Sequence, residues 1–178
     1  VGQLSAKEIQ ALDAGSWFDA KYKGEQVPTL AEAVKALGKK TRLLLLIPNL
    51  RDTGDLAGAI HKTLKGRKGD LLVFTDSESL KAMREQAPEF EYVLALDEKV
   101  QGWLAIEKAR SLGLKVVRPF RAQVNSEFVR NAHAKGLQVY VHFADEESEM
   151  RDLLGQKVDG IITGRPGRLK EVLKEAKK

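Results

Sequence analysis

Six short runs of aliphatic, β-branched and aromatic residues, none strictly alternating with polar ones, set the strongest limit on what this chain can become. They are Arg42–Ile47, Leu71–Phe74, Tyr92–Leu96, Lys115–Arg118, Gln138–Phe143 and Val158–Thr163. A strand wetted on one face alternates, whereas a strand covered on both faces does not. The intervening segments Leu56–Leu64, Ser77–Gln86, Lys99–Leu112, Ser126–Lys135 and Glu146–Lys157 carry apolar residues at helical spacing, and a last helix runs from Arg168. Asp76 or Ser77 starts the second of these helices, and Gly113 and Gly136 stop two others. Strand, helix and strand in this rhythm make right-handed parallel crossovers, so the expected class is α/β with a parallel sheet covered on both sides. Gln138–Pro166 shows one complete unit, and its tip, Gly164-Arg165-Pro166, is the kind of place where function sits.

The first 40 residues read differently. Ser5-Ala6-Lys7-Glu8 is a capping box that opens a short helix ending at Gly15. Ser16–Val27 is irregular, and its Trp17, Phe18 and Tyr22 are expected to cover one end of the core. Thr29 and Glu32 form a second capping box, with Leu30, Ala33, Val34 and Leu37 on one helix face and Gly38 as the stop. The expectation is one domain over 1–178: a helical segment at 1–40, then six strand-helix units over 41–178.

Such units build either an open doubly wound sheet or a closed barrel. No glycine-rich phosphate loop follows any run, so a nucleotide fold has no support. An eight-unit barrel takes roughly 250 residues, which leaves this 178-residue chain roughly 70 short. The fold expected is therefore a partial TIM-type βα barrel of about six parallel units that lacks the first two.

Composition excludes several classes. With no cysteine there are no disulfides, thiolate metal sites or cysteine nucleophiles. The longest apolar run, Leu43–Ile47, is far too short to span a membrane. The net charge of +5 comes from Lys and Arg interspersed with Asp and Glu, as at Glu107, Lys108 and Arg110, so a nucleic-acid partner is not expected. Val1 stands where a Met would, which points to removal of a signal peptide, a tag or part of the protein. A signal peptide would make this a soluble secreted or periplasmic protein.

The stretches LSAKEIQALDAGSWFDAKYKGEQVPTLAEAV (Leu4–Val34), GLQVYVHFADEESEM (Gly136–Met150) and VDGIITGRPGRLKEVL (Val158–Leu173) resemble the glycerophosphodiester phosphodiesterase family. These are metal-dependent barrel enzymes that hydrolyse deacylated phospholipids, and the resemblance covers almost the whole chain. It implies a first strand with a His-Arg-Gly motif, an acidic pair and a second catalytic His. None of these precedes His61, the first histidine here. It also implies a third strand like Ile-Glu-Leu-Lys, with a metal-binding Glu and a phosphate-binding Lys. Leu46 stands where the Glu belongs and Pro48 where the Lys belongs, and the next carboxylate is Asp52. Ser-Phe-Asp becomes Phe74-Thr75-Asp76, Trp-Thr-Val-Asn becomes His142-Phe143-Ala144-Asp145, and Thr-Asp-Arg-Pro becomes Thr163-Gly164-Arg165-Pro166. The buried strands, caps and helix stops match the family while the strand tips depart from it. No catalytic residue, metal ligand or cofactor is therefore assigned.

What could still act lies at the tips. Arg118, Arg121 and Arg165, with Thr75 and Asn49, could form a basic mouth for a phosphate or carboxylate, helped by backbone amides near Gly164 and Gly167. Alternatively these arginines pair with Asp76, Asp97 or Asp145. His142 and Asp145 could form a residual polar pair, or His142 fills the space of the family's Trp while Asp145 caps a helix. His61 and His133 read as surface residues and Trp103 as core packing with Ile106.

An incomplete sheet leaves Arg42–Ile47 as an apolar edge. A second copy, the segment Leu4–Val34, or upstream sequence would cover it. Two functional readings follow. One is a non-catalytic interaction, assembly or anion-binding relative of the phosphodiesterases. The other is the C-terminal part of an active enzyme whose other strands lie elsewhere, which would need a divalent cation such as Ca or Mg.

Overall fold

The computed structural model describes residues 3–38, 41–47, 56–67, 69–95 and 99–176. In order these form α1 (Ala6–Gln10), α2 (Leu30–Leu37), β1 (Leu44–Ile47), α3 (Leu56–Leu64), β2 (Leu71–Phe74), α4 (Ser77–Gln86) and β3 (Glu91–Leu94). They continue with α5 (Gly102–Ser111), β4 (Val116–Val117), α6 (Ser126–Ala134), β5 (Gln138–His142), α7 (Glu147–Gly155), β6 (Gly160–Ile162) and α8 (Pro166–Glu175). β1, β2 and β3 pair in parallel in that order, as do β4, β5 and β6. A parallel bridge between Ala95 and Arg118 joins the two blocks, so the described strands form one parallel arc with the helices outside it.

The register decides which side chains face where. Leu72, Phe74, Tyr92, Leu94, Val117, Val139 and Val141 belong to one buried cluster with Leu64, Leu80, Met83, Ile106, Phe128, Val129 and Leu153 of the helices. Burying each large side chain of this kind is worth about 1.5–3 kcal/mol. Leu71, Val73, Val93 and Val116 form a second cluster on the opposite, inner face, with Ala95 and Tyr140 packed against it. Gly160 pairs with Tyr140, and a Cβ there would stand 3.1 Å from the ring, so glycine lets the tyrosine lie across the inner face. Leu44 and Leu46 pair with Leu71 and Val73 and so share that face, yet both are exposed, Leu46 at 50%.

Local signals explain the element ends. The Ser5–Glu8 and Thr29–Glu32 capping boxes both form. Asp76 is the N-cap of α4, accepting from Ser79 N at 2.7 Å. Gly113 and Gly136 adopt φ of 63° and 74° just past α5 and α6, a conformation costly for other residues. α8 begins at Pro166, two residues before the expected Arg168, because proline suits the first helical turn and needs no N–H there.

Three expectations fail. α1 ends at Gln10, well before Gly15, because Asp13 turns the chain: its carboxylate accepts from Gly15 N at 2.9 Å, Ser16 N at 2.8 Å and Gly24 N at 3.1 Å. Those bonds hold Asp13 well below the usual carboxylate range, the Ser16 hydroxyl contributing most. The loop they close presents its aromatics outward instead of covering the core. Trp17 is 82% exposed and meets Phe18 edge-on at 5.8 Å. Trp103 is 63% exposed, its Nε1 donating to Gln101 Oε1. The core stripe of α5 is Gly102, Ala105, Ile106 and Ala109, rotated so that Gly102 seats against Phe128, where a Cβ would come within 2.9 Å.

Asp70 is the anchor of β1 and β2. It is 1% exposed, accepts from Leu43 N at 2.8 Å and pairs with Arg67, which also donates to Gly38 O at 2.8 Å and Thr41 O at 2.7 Å. Burial opposes its charge, but hydrogen bonds from Arg67 and Leu43 N and the charges of Arg67 and Arg42 outweigh that and hold its pKa down. A lowered carboxylate contributes stability above its ordinary pKa of about 3.9, which is lost as pH falls through the folded value. We expect Asp70→Ala to destabilise by roughly 3–5 kcal/mol, since it strands a nearly buried guanidinium. Asp70→Asn should flatten the acid limb of the stability profile, read by denaturant melts from pH 7 to pH 2.

Candidate functional site

The C-terminal ends of the strands form the mouth of the arc, and strand alternation puts Arg118 and His142 on its inner face. Arg118 lies two residues beyond inward Val116, and His142 two beyond inward Tyr140. A parallel bridge links Phe120 to His142, and the two rings meet edge-on at 5.4 Å. Arg118 Nε and His142 Nδ1 are both buried and have no hydrogen-bond partner. Burial alone pushes the Arg118 guanidinium down from its ordinary value. Burial, then the positive charge of Arg118, pushes His142 down as well. Two nitrogens on the inner face thus lack partners, and among the described residues no carboxylate pairs with Arg118.

The remaining candidates are drawn elsewhere. Arg121 reaches α7, 3.1 Å from Glu149 Oε1 and 3.9 Å from Asp152 Oδ2. Arg165 pairs with Glu146 Oε1 at 3.3 Å, and Arg168 meets the same carboxylate at 3.5 Å. The salt bridges of these arginines therefore run to α7 acids and Glu146, although the charge of Arg165 also helps to lower Asp145. Asp145 does not meet His142; it accepts from Thr163 Oγ1 at 2.6 Å and Gly164 N at 2.8 Å, tying the tip of β6 to the end of β5. The Thr163 hydrogen bond is the main cause that holds its carboxyl below the usual range. Thr75 is exposed just past β2. Asn49, Pro48, Asp52 and Asp97 lie outside the described residues. His61 and His133 are surface residues, 2.8 Å from Glu89 and Asp159 respectively.

The described donors do not fit a divalent cation. Among the described residues no cluster of three or more His, Asp or Glu could hold one. Leu46 is the inner residue of β1 near the mouth. The inner-face carboxylate of β3, Glu91, sits at the opposite end of its strand, 3.4 Å from Arg42. The pairing of Arg118 with His142 was within reach of the sequence: counting by twos from the apolar strand centres finds both. What pattern could not show was that Arg121 and Arg165 have acids to answer them and Arg118 has none.

A parallel arc of strands covered by helices, with a polar mouth at the strand C-termini, defines a TIM-barrel-like α/β protein. The model of the glycerophosphoryl diester phosphodiesterase family matches residues 1–168, and the chain belongs to that family. It is 26% identical to the glycerophosphodiester phosphodiesterase of Caldanaerobacter subterraneus subsp. tengcongensis, over 93% of this chain and 70% of that protein. It is also 26% identical to the glycerophosphodiester phosphodiesterase of Bacillus subtilis, over 94% of this chain and 64% of that one. Among solved structures, an Oleispira antarctica phosphodiesterase in complex with the product sn-glycerol-3-phosphate superposes with a TM-score of 0.87 at 20% identity, over 98% of this chain and 72% of that one. A Silicibacter pomeroyi protein gives 0.83 at 22% identity, over 99% and 70%. At these identities the structures speak for the fold. No helix among the described residues is long and apolar enough to cross a membrane.

Asp145→Ala should free the β6 tip and lower the melting temperature. Its lowered pKa means the contribution is present above the ordinary aspartate value of about 3.9 and is lost as pH falls through the lower folded value. The gap between variant and parent in thermal melts should therefore be larger at pH 7 than at pH 3.

Proposed function

We propose that this glycerophosphodiester phosphodiesterase-like domain is catalytically silent and serves as an interaction, assembly or anion-binding module on a partial barrel. The observation that carries this reading is Leu46. It lies on the inner face of β1, the position where the family resemblance calls for the metal-binding Glu. An aliphatic side chain cannot hold a hard cation, and without one the phosphoryl oxygens lose their main electrostatic stabilisation. Asp76 caps α4 and Asp145 ties β6, so neither carboxylate stands in. The apolar inner surface at Leu44 and Leu46 suits assembly, with a second copy of the chain covering β1.

The C-terminal part of an active enzyme is the second reading. It is favoured by the exposed inner leucines of β1 together with the coverage of only 64–70% of the two phosphodiesterase relatives above. On that reading a separate polypeptide or further sequence lines the rest of the mouth.

Incubation with a glycerophosphodiester and either Mg or Ca, with release of glycerol phosphate followed, separates the two. The silent domain gives the rate of buffer alone. Metal-dependent turnover by this chain, or by the longest natural polypeptide that contains it, moves the second reading to the front. Light scattering with and without the metals should give a dimer mass that metal does not change; a monomer would remove the assembly role.

A further inference from the structure

We infer that a cavity at the base of the arc, between the ends of α2 and α3 and the starts of β1 and β2, takes a small anion carrying at least two negative charges. This site lies at the opposite end of the strands from the mouth, and it stands whether or not the domain is silent. The cavity has a volume of about 720 Å³, inside the span of roughly 300–1,000 Å³ usual for small-molecule sites. Four cationic side chains line it, Lys35, Arg42, Lys65 and Arg67, against the single carboxylate of Asp70. In sequence, residues 35–42 and 62–68 hold cations and no acid. A cleft walled by one sign of charge concentrates its field and draws in the opposite sign.

The cations divide into a floor and a rim. Arg67 is the floor: its guanidinium is committed to Asp70, Gly38 O and Thr41 O, and its backbone N donates to Leu64 O. The carbonyls that end α2 and α3, which would repel an anion, are thereby answered. Arg42 stands at the entry to β1, half-exposed, with Glu91 at 3.4 Å. Lys35, in the last turn of α2, and Lys65, just past α3, are exposed and have no acid partner among the described residues. Two free ammonium groups on separate elements are satisfied together only by an anion with charge to share between them. Ammonium groups are point charges without the planar fork of arginine, so they take phosphate and carboxylate alike. The ligand class is therefore set by charge and size, and it covers pyrophosphates and tricarboxylates.

The test is calorimetric titration and thermal melting of the whole chain with inorganic pyrophosphate and with citrate, against chloride at equal ionic strength. Either polyanion should bind, and at about a hundredfold excess over its dissociation constant should raise the melting temperature by about 5–10 °C. Whichever binds more tightly identifies the natural source as a phosphate or a carboxylate compound. In NMR the amide signals of Thr63 and Gly66 should move and the His142 ring signals should not. Lys35→Gln and Lys65→Gln should each weaken binding roughly tenfold, the loss of one charge-assisted contact. Both positions are exposed, so the unliganded variants should melt as the parent does. Lys170→Gln with Lys174→Gln, exposed on α8, removes the same charge elsewhere and should leave binding unchanged. A response to both polyanions no larger than that to chloride, binding untouched by the Lys35 and Lys65 variants, or equal loss in the α8 control overturns the assignment. Hydrolysis of a glycerophosphodiester without binding here removes this inference and the silent-domain reading together, whereas binding here with hydrolysis removes only the latter.

Discussion

Asp70 keeps its charge where almost no water reaches it, and the order of the first half of the arc depends on how that charge is answered. Its carboxylate takes the Leu43 amide at the entry to β1, while Arg67 extends the clamp to the carbonyls of Gly38 and Thr41. One ion pair thus joins the end of α2, the start of β1, the turn after α3 and the start of β2. The parallel register that follows is fixed from that end, because a slip by one residue would turn every side chain to the other face. Leu44 and Leu46 face inward because Leu43 is held where it is.

From that register the two faces acquire different jobs. The outer face is a continuous apolar contact with the helices, and it accounts for most of the buried large side chains. The inner face is smaller and uneven: apolar at the centre, open at β1, and cationic at the β4–β5 tips. The family resemblance survives on the outer face and in the caps, where packing constrains residue choice. It fails at the tips, where chemistry does. At the end of the arc the resemblance expects Asn near β5 and Asp after β6. Here Asp145 stands at the first and Gly164 at the second, and the carboxylate of one binds the amide of the other. That contact is a staple between strands.

Much of this was legible from residue order. The apolar runs gave the strands within a residue or two, and Leu71–Phe74 and Leu56–Leu64 without error, because a doubly covered strand and an amphipathic helix have unmistakable periods. The capping boxes at Ser5 and Thr29 are local and were equally readable. Trp103 and the Trp17 loop were misread because local spacing does not report how a helix is rotated or which way a loop is closed. Gly102 against Phe128 settles the first and the Asp13 carboxylate the second, and both are contacts between residues distant along the chain or through backbone amides that pattern does not weigh. The candidate site divides in the same way. Arg118 and His142 follow from alternation along a strand, whereas the fate of Arg121 and Arg165 was set by acids on neighbouring elements.

Among the described residues one backbone bridge, Ala95–Arg118, joins the two three-stranded blocks, where β1 and β2 pair over four rungs and β5 and β6 over three. A sheet built this way has a seam. The backbone of Arg118 is one side of the seam, and its guanidinium is the unanswered charge of the mouth.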